Sequence, residues 1–410
     1  MVELIYHFVT LQHGYYGTAK DLSYFVELLR RETSSSNTFV ILEPTVNSWN
    51  RTGDGIMECG ERVANYVMKR VEDALAPLDP TEIEVGTSSV TEDKGEGVSC
   101  GGRSTRTAST AHLHFSFVAH SMGGLIIRAA LPLLAASLRK RYDCRFPFEV
   151  PGADSFIKGN DPHKSFVEVY WETFCTIAAP HVGVAQMPSR LKRWVVDQFV
   201  PLSSTLRDMF LVSDTLIDIL LQDPYLDIWK AFKRRILVGV LGDQTVMAYS
   251  SVFCVLPTDQ GSLRVHSQIG KEEDPSNHSS RDSAAAMLPV VSTREELPSA
   301  LTSTLRELTP ERWPVDILPR ERDIAARIIE RVGPFEHCLV DFQARLVKHF
   351  KGGGFWSRLG ARRFGHRAVI CKYPCNNREI FGFLCEHIAE DVLIQAVEQA
   401  CPSDELTLAA

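Results

Sequence analysis

Cysteine is scarce: ten residues in a chain of 410 fall well below the density of a disulfide-stapled scaffold, and reduced thiols are expected. Basic residues are not in excess. Lysine and arginine total 44 against 51 acidic residues, a formal net charge of −7, which provides no surplus to neutralise a phosphate backbone and argues against nucleic acid as a partner. Long apolar runs are missing too. The nearest candidates, around Leu125 to Leu138 and Phe210 to Leu221, are interrupted by Arg128 and by Asp214 and Asp218, whereas a membrane span needs roughly 20 consecutive apolar residues. The first residues lack the basic start, apolar run and small-residue site of a secretory leader. A cytoplasmic protein is expected, peripheral to membranes or lipid droplets at most. A hydrophobic fraction of 44% with 23% charged residues excludes general disorder and supplies a large core.

What is present is an alternation of strand-like and helix-like segments. Val2 to Leu11 reads as a buried strand, Asp21 to Arg31 as a helix capped by Thr18 or Asp21, Thr38 to Leu42 as a strand and Gly53 to Leu75 as an amphipathic helix. Residues 79–110, rich in Ser, Thr, Gly and charge, read as a solvated insertion. Beyond it come a strand at His114 to Ala119, a long apolar helix, a strand at Glu172 to Ala179, a mostly helical stretch from Arg190 to Trp229 and a strand at Arg235 to Leu241. A second polar stretch, 257–310, reads as largely disordered. The final third predicts strands at Val340 to Phe350 and Arg367 to Lys372, then a helix from Asn377 to Ala400. One α/β domain over 1–400 follows, with a mostly parallel sheet covered by helices on both faces, two flexible insertions and a tail at 401–410.

The segment Phe115 to Gly124 (FSFVAHSMGG) joins a strand to an apolar helix through one polar residue among small ones. It has the form of a nucleophile elbow, a turn sharp enough to lift Ser121 Oγ clear of the backbone. A chance SxGG turn is the bland alternative. A serine hydroxyl needs a base to take its proton and a third group to fix the tautomer of that base; in elbows of this kind the acid and then the histidine follow in the chain. Asp243 stands directly after the RILVGVL strand, while Asp214, Asp218, Asp223 and Asp227 lie in helical patterns. A turn aspartate would look the same. Chain order and the second insertion leave His337, His349, His366 and His387 as the base. His366 is preferred, in a loop just after a strand, and His349 comes second. The amides of Met122 and of Tyr15, after the turn-prone His13-Gly14, are the expected oxyanion donors.

These blocks carry a resemblance. LQHGYYGTAKDL, EPTVNSWNRTGDGIMECGERVANYV, FSFVAHSMGGLIIRAAL, TIAAPHVGV, FKRRILVGVLGDQTV and GHRAVICKY resemble, in order, the blocks of the eukaryotic putative serine esterase family of lipase-like α/β-hydrolases. Ala119 departs from the glycine usual before the nucleophile, and Met247 stands where the family often has proline. The resemblance implies an α/β-hydrolase fold, a catalytic Ser121, Asp243 and His366, and hydrolysis of carboxylic esters, above all of lipids such as acylglycerols or lysophospholipids. It favours His366 over His349. Such chemistry requires neither metal nor organic cofactor. A thioesterase or acyltransferase would use the same triad, and a non-catalytic scaffold for protein or lipid binding would keep only the fold.

His13, Gly14, His120, Pro180 and His181 are expected around the substrate, with Pro180-His181-Val182-Gly183 as a pocket wall or simply a tight turn. Neither His112 with His114 nor Cys371 with Cys375 supplies four ligands, so no metal site is expected. The apolar residues of Arg190 to Trp229 fit a lid or ordinary core packing equally well. Arg358, Arg362, Arg363 and Arg367 fit an anionic headgroup or plain solvation.

Overall fold

The computed structural model describes residues 2–33, 38–76, 109–142, 144–146, 166–185, 200–243, 245–255, 291–292, 303–304, 318–340, 342, 345–346, 349–350 and 364–400. The expected insertion at 79–110 lies almost wholly outside them, and the tail at 401–410 entirely so. In chain order the elements are β1 (Val2–Gln12), α1 (Ser23–Thr33), β2 (Phe39–Leu42), α2 (Ile56–Leu75), β3 (Ser109–His120), α3 (Gly123–Arg141), β4 (Cys144–Arg145), β5 (Phe166–Ile177) and α4 (Ser204–Met209). They continue with α5 (Asp223–Ala231), β6 (Arg234–Val240), α6 (Ala248–Val252), β7 (Cys254–Val255), β8 (Val291–Ser292), β9 (Ser303–Thr304), α7 (Pro319–Val332), β10 (Glu336–Val340), α8 (Gly365–Ala368), α9 (Arg378–Phe381) and α10 (Phe383–Ala400).

The main sheet has the order β2-β1-β3-β5-β6-β10-β8, with β4 beside β5. Every pairing along it is parallel except that of β8, which runs antiparallel to β10. Strand residues alternate between two apolar layers, as the pleat requires. Phe8, Leu113, Phe115, Phe117 and Phe174 face α2, α3, α5 and α7; Val9, Leu11, Val118, Cys175 and Ile177 face α1, α8 and α10. In α2 the residues Ile56, Cys59, Val63, Val67 and Val71 recur at helical spacing and are all buried. This is the mostly parallel sheet with helices on both faces that the alternation of segments predicts and that the resemblance to α/β-hydrolases implies.

Because β2 lies on one side of β1 and β3 on the other, the chain reverses direction across the sheet between β1 and β3. Open parallel sheets leave a crevice at the carboxyl ends of the strands where this happens. The segment after β1 and the elbow after β3 meet there.

Several expectations are corrected. The strand expected at Val340 to Phe350 is β10, ending where that stretch begins. Beyond it Phe342, Leu346 and Phe350 recur every fourth residue, and Leu346 N and Phe350 N donate to Phe342 O and Leu346 O at 2.8 and 3.0 Å, which is helical bonding. Arg367 to Lys372 is likewise no strand: Ala368 N and Val369 N donate to Phe364 O and Gly365 O, and Ala368, Val369 and Ile370 are all buried. A short, wholly apolar run has no period to separate strand from helix. In the stretch read as helical up to Trp229, the described part from 200 holds two short helices, α4 and α5, and two 3-10 turns, Val200–Leu202 and Ile219–Leu221. Within 257–310, β8 extends the sheet and β9 pairs with β7. No described helix is long and apolar enough to cross a membrane.

Candidate active site

The register of β3 between β1 and β5 brings its last residue, His120, to the rim of the sheet, and Ser121 occupies the turn into α3 with φ 56°. A non-glycine residue in that region costs about 1–2 kcal/mol. The Ser121 amide donates to Ile177 O at 2.8 Å, which fixes the turn to the end of β5. Two glycines permit the approach of the β1 segment. A Cβ on Gly14 would lie 2.6 Å from Ser121 Cβ and 3.1 Å from its Oγ, and one on Gly123 would lie 2.5 Å from Gln12 O. Ala119, two residues before Ser121, is fully buried.

Asp243 follows β6, with its side chain 1% exposed. Oδ1 accepts the amides of Thr245 and Val246 at 2.7 and 3.3 Å, and Oδ2 accepts Nδ1–H of His366 at 2.7 Å. A carboxylate only accepts, so Nδ1 carries the proton and Nε2 remains free to take one. His366 lies in α8 and its ring leans on that of His120, with centroids 4.7 Å apart. Among the described residues, Ser121 Oγ and the His366 ring share no hydrogen bond; such bonds commonly tighten only when substrate is present.

Ser121 opens into a cavity of 420 Å³. Its walls are Tyr15 and Tyr16 from the β1 segment, Pro180 and Val184 after β5, Leu206, Met209 and Phe210 from α4 and its end, and Thr245 and Val246 after Asp243. None of these side chains is charged. The amides of Tyr15 and Met122 donate to no other group among the described residues. They stand next to Gly14 and Ser121, which pack against each other.

The remaining expected residues divide. Pro180 lines the cavity and Gly14 packs against Ser121, but His13, His120 and His181 lie behind the walls, a correction to their placement around the substrate. His13 Nδ1 bonds Gly14 O at 3.0 Å, and His181 Nε2 bonds Thr176 Oγ1 at 2.9 Å. Burial lowers the pKa of all three, for His120 with help from the neighbouring His366, so they stay neutral. The second candidate base, His349, points to Pro374 O at 3.3 Å and has no carboxylate partner among the described residues. His112 and His114 face Glu168 and Glu172 at 3.3 and 2.7 Å. Arg358, Arg362 and Arg363 lie outside the described residues; Arg367 donates to Tyr373 O.

Two supporting residues escape a reading of the sequence. Arg128 in α3 is 1% exposed, lies 4.7 Å over the Trp229 ring and donates to Leu220 O and His181 O at 2.9 and 3.4 Å, burial pulling its pKa down to about 9. Asp208 accepts Ile56 N at 2.9 Å and Thr215 Oγ1 at 2.8 Å, joining the α4 wall to the start of α2. Their only signals are an arginine in an apolar helix and an aspartate near a helix end.

The model of the family described as Putative serine esterase (DUF676) matches residues 5–80 and 102–256, more than half of the chain. None of the curated proteins compared with it matches. Phospholipase PlaB from Legionella pneumophila, solved in complex with thio-NAD, is similar at 12% identity and TM-score 0.27 over 57% of this chain and 38% of that one. An extracellular alpha/beta-hydrolase from a Paenibacillus species is similar at 12% identity and TM-score 0.20 over 48% of this chain and 52% of that one.

Proposed function

The chain belongs to the Putative serine esterase (DUF676) family, and we propose that it hydrolyses carboxylic esters of lipids, acylglycerols or lysophospholipids, through Ser121, His366 and Asp243. The observation that carries this reading is the 2.7 Å bond from His366 to Asp243, made at the strand ends beside a strained Ser121 that faces an apolar cavity. Ser121 Oγ attacks the ester carbonyl carbon while its proton passes to His366 Nε2. Asp243 holds the imidazole and stabilises the imidazolium. The amides of Tyr15 and Met122 receive the oxyanion, each such donor being worth roughly 10²–10³ in rate.

Collapse of the tetrahedral species breaks the bond to the alcohol, which leaves with the proton from His366. Water then gives a proton to the same nitrogen and attacks the acyl-enzyme, and the carboxylic acid departs as Ser121 regains its hydrogen. An uncharged cavity of 420 Å³ suits an acyl chain better than a charged headgroup, and falls within the roughly 300–1,000 Å³ of small-molecule sites.

The test is hydrolysis of a p-nitrophenyl ester series of increasing chain length by the wild type, Ser121→Ala and His366→Ala, each first verified as folded. Turnover by the wild type and a loss of order 10⁶ in Ser121→Ala are expected. Equal turnover in all three would overturn the proposal, and an inert wild type would favour a binding scaffold.

A further inference from the structure

Residues 14–22 after β1 and 200–209 through α4, which give Tyr15, Tyr16, Leu206 and Met209 to the cavity wall, lie against residues 49–54 before α2, and the three segments form one rim beside the cavity. They are bonded to one another. Tyr16 N donates to Thr52 Oγ1 at 2.9 Å, Trp49 N to Gly17 O at 3.0 Å, the Tyr15 hydroxyl to Ser203 Oγ at 3.2 Å, and Ser203 Oγ to Gly53 O at 3.3 Å. Each segment holds one large apolar side chain out in solvent: Tyr16 is 55% exposed, Trp49 64% and Leu202 80%. Large side chains of this kind are normally scattered singly over a surface. Here they share one rim.

Each segment also carries one exposed cation, Lys20, Arg51 or Arg207, and none of the three has an ion-pair partner among the described residues. The carboxylates of the same segments are all engaged. Asp21 pairs with Lys372 at 2.5 Å, Asp54 with Arg62 at 2.6 Å, and Asp208 is buried on the hydrogen bonds described above. In a chain of net charge −7, the rim therefore displays apolar groups together with positive charge that has no ion-pair partner among the described residues.

We propose that this rim seats the protein on an anionic lipid surface, with Tyr16, Trp49 and Leu202 entering the interface and Lys20, Arg51 and Arg207 meeting the headgroups. Tyrosine and tryptophan suit that depth, because each has an apolar body and a polar edge. Continuity of the rim with an uncharged cavity lets an acyl chain pass from bilayer to Ser121 without crossing water. The choice of lipid as occupant rests on the ester-hydrolase reading of that cavity, whereas the exposed groups and their charge do not.

The test is co-sedimentation of the full chain carrying Ser121→Ala with vesicles of phosphatidylcholine alone or mixed with phosphatidylserine. Stronger binding to the mixed vesicles, weakened by salt, is expected. Arg51→Gln and Arg207→Gln should each lower binding to the mixed vesicles by roughly fivefold. Trp49→Ala with Leu202→Ala should lower binding to both compositions. The same substitutions in the wild-type background should leave turnover of a soluble short-chain ester unchanged, which reports intact folding. Equal sedimentation of all variants, or no vesicle binding by a protein that turns over the soluble ester, would overturn the docking surface. Vesicle binding by a wild type that hydrolyses nothing would support the surface and remove the esterase.

Discussion

The imidazole of His120 closes β3 one residue before Ser121 and donates through Nε2 to the carbonyl of His366 at 3.0 Å. It therefore joins the backbone of the proposed base to the strand that carries the proposed nucleophile, without touching the cavity. Removing it frees α8 to shift, and a misplacement of about 1 Å can cost 10²-fold in rate. His120→Ala should lower kcat by roughly 10- to 100-fold with little change in KM, and His120→Gln, which keeps a donor near the same place, should recover most of the loss. A proportional fall in folded protein with unchanged kcat would make the residue merely structural. The pairing of His366 with Asp243 was legible in the sequence, because Ser121, Asp243 and His366, the proposed nucleophile, acid and base, each sit just past an apolar run or in a recognisable block. The role of His120 was not: a histidine beside the nucleophile reads as a substrate contact until its ring is seen to be buried with its donor turned to His366.

At the scale of elements, α4 depends on a tie that crosses more than 150 positions of sequence. The Asp208 carboxylate accepts the first amide of α2 and the hydroxyls of Ser213 and Thr215. A negative group at a helix N-terminus satisfies an orphan donor and complements the helix dipole. Asp208→Ala should cost about 1–2 kcal/mol of stability, by analogy with the loss of a cap, and should raise KM for long-chain esters more than for short ones, because Leu206, Met209 and Phe210 form the wall it secures. Denaturant unfolding and chain-length kinetics measure the two effects. An unchanged chain-length preference would dissociate the tie from the cavity. Elements such as α2 were legible because their apolar residues keep a helical period. The strands expected at Val340 to Phe350 and Arg367 to Lys372 give way to helical bonding for opposite reasons, the first stretch having a four-residue apolar period and the second no period at all.

Over the whole molecule, the alternation of strand and helix gave the fold class, while the order of the sheet and the strand contributed by β8 depend on pairings that no local pattern encodes. The same burial that builds the two apolar layers takes several histidines out of water. His7 and His337 are pulled down to about 4, and His13, His120 and His181 are also lowered, burial being the first cause in each case. In the unfolded chain these groups titrate near ~6.5. Below that pH the unfolded state takes up protons that the folded state refuses, so stability falls as pH falls, for His7 and His337 over the window down to about 4. The Tm should decline steadily from about pH 7 to about pH 5; a flat or rising Tm would show that these side chains are solvated in the folded state.

The measurement that bears most directly on the proposed chemistry is labelling of the wild-type chain with a fluorophosphonate, followed by peptide mapping of the modified residue. Only a serine activated by its neighbours reacts. A single adduct on Ser121, abolished in His366→Ala and strongly slowed in Asp243→Asn, is the predicted result. An unlabelled chain, an adduct on another serine, or a Ser121 adduct that forms as fast in His366→Ala would contradict it.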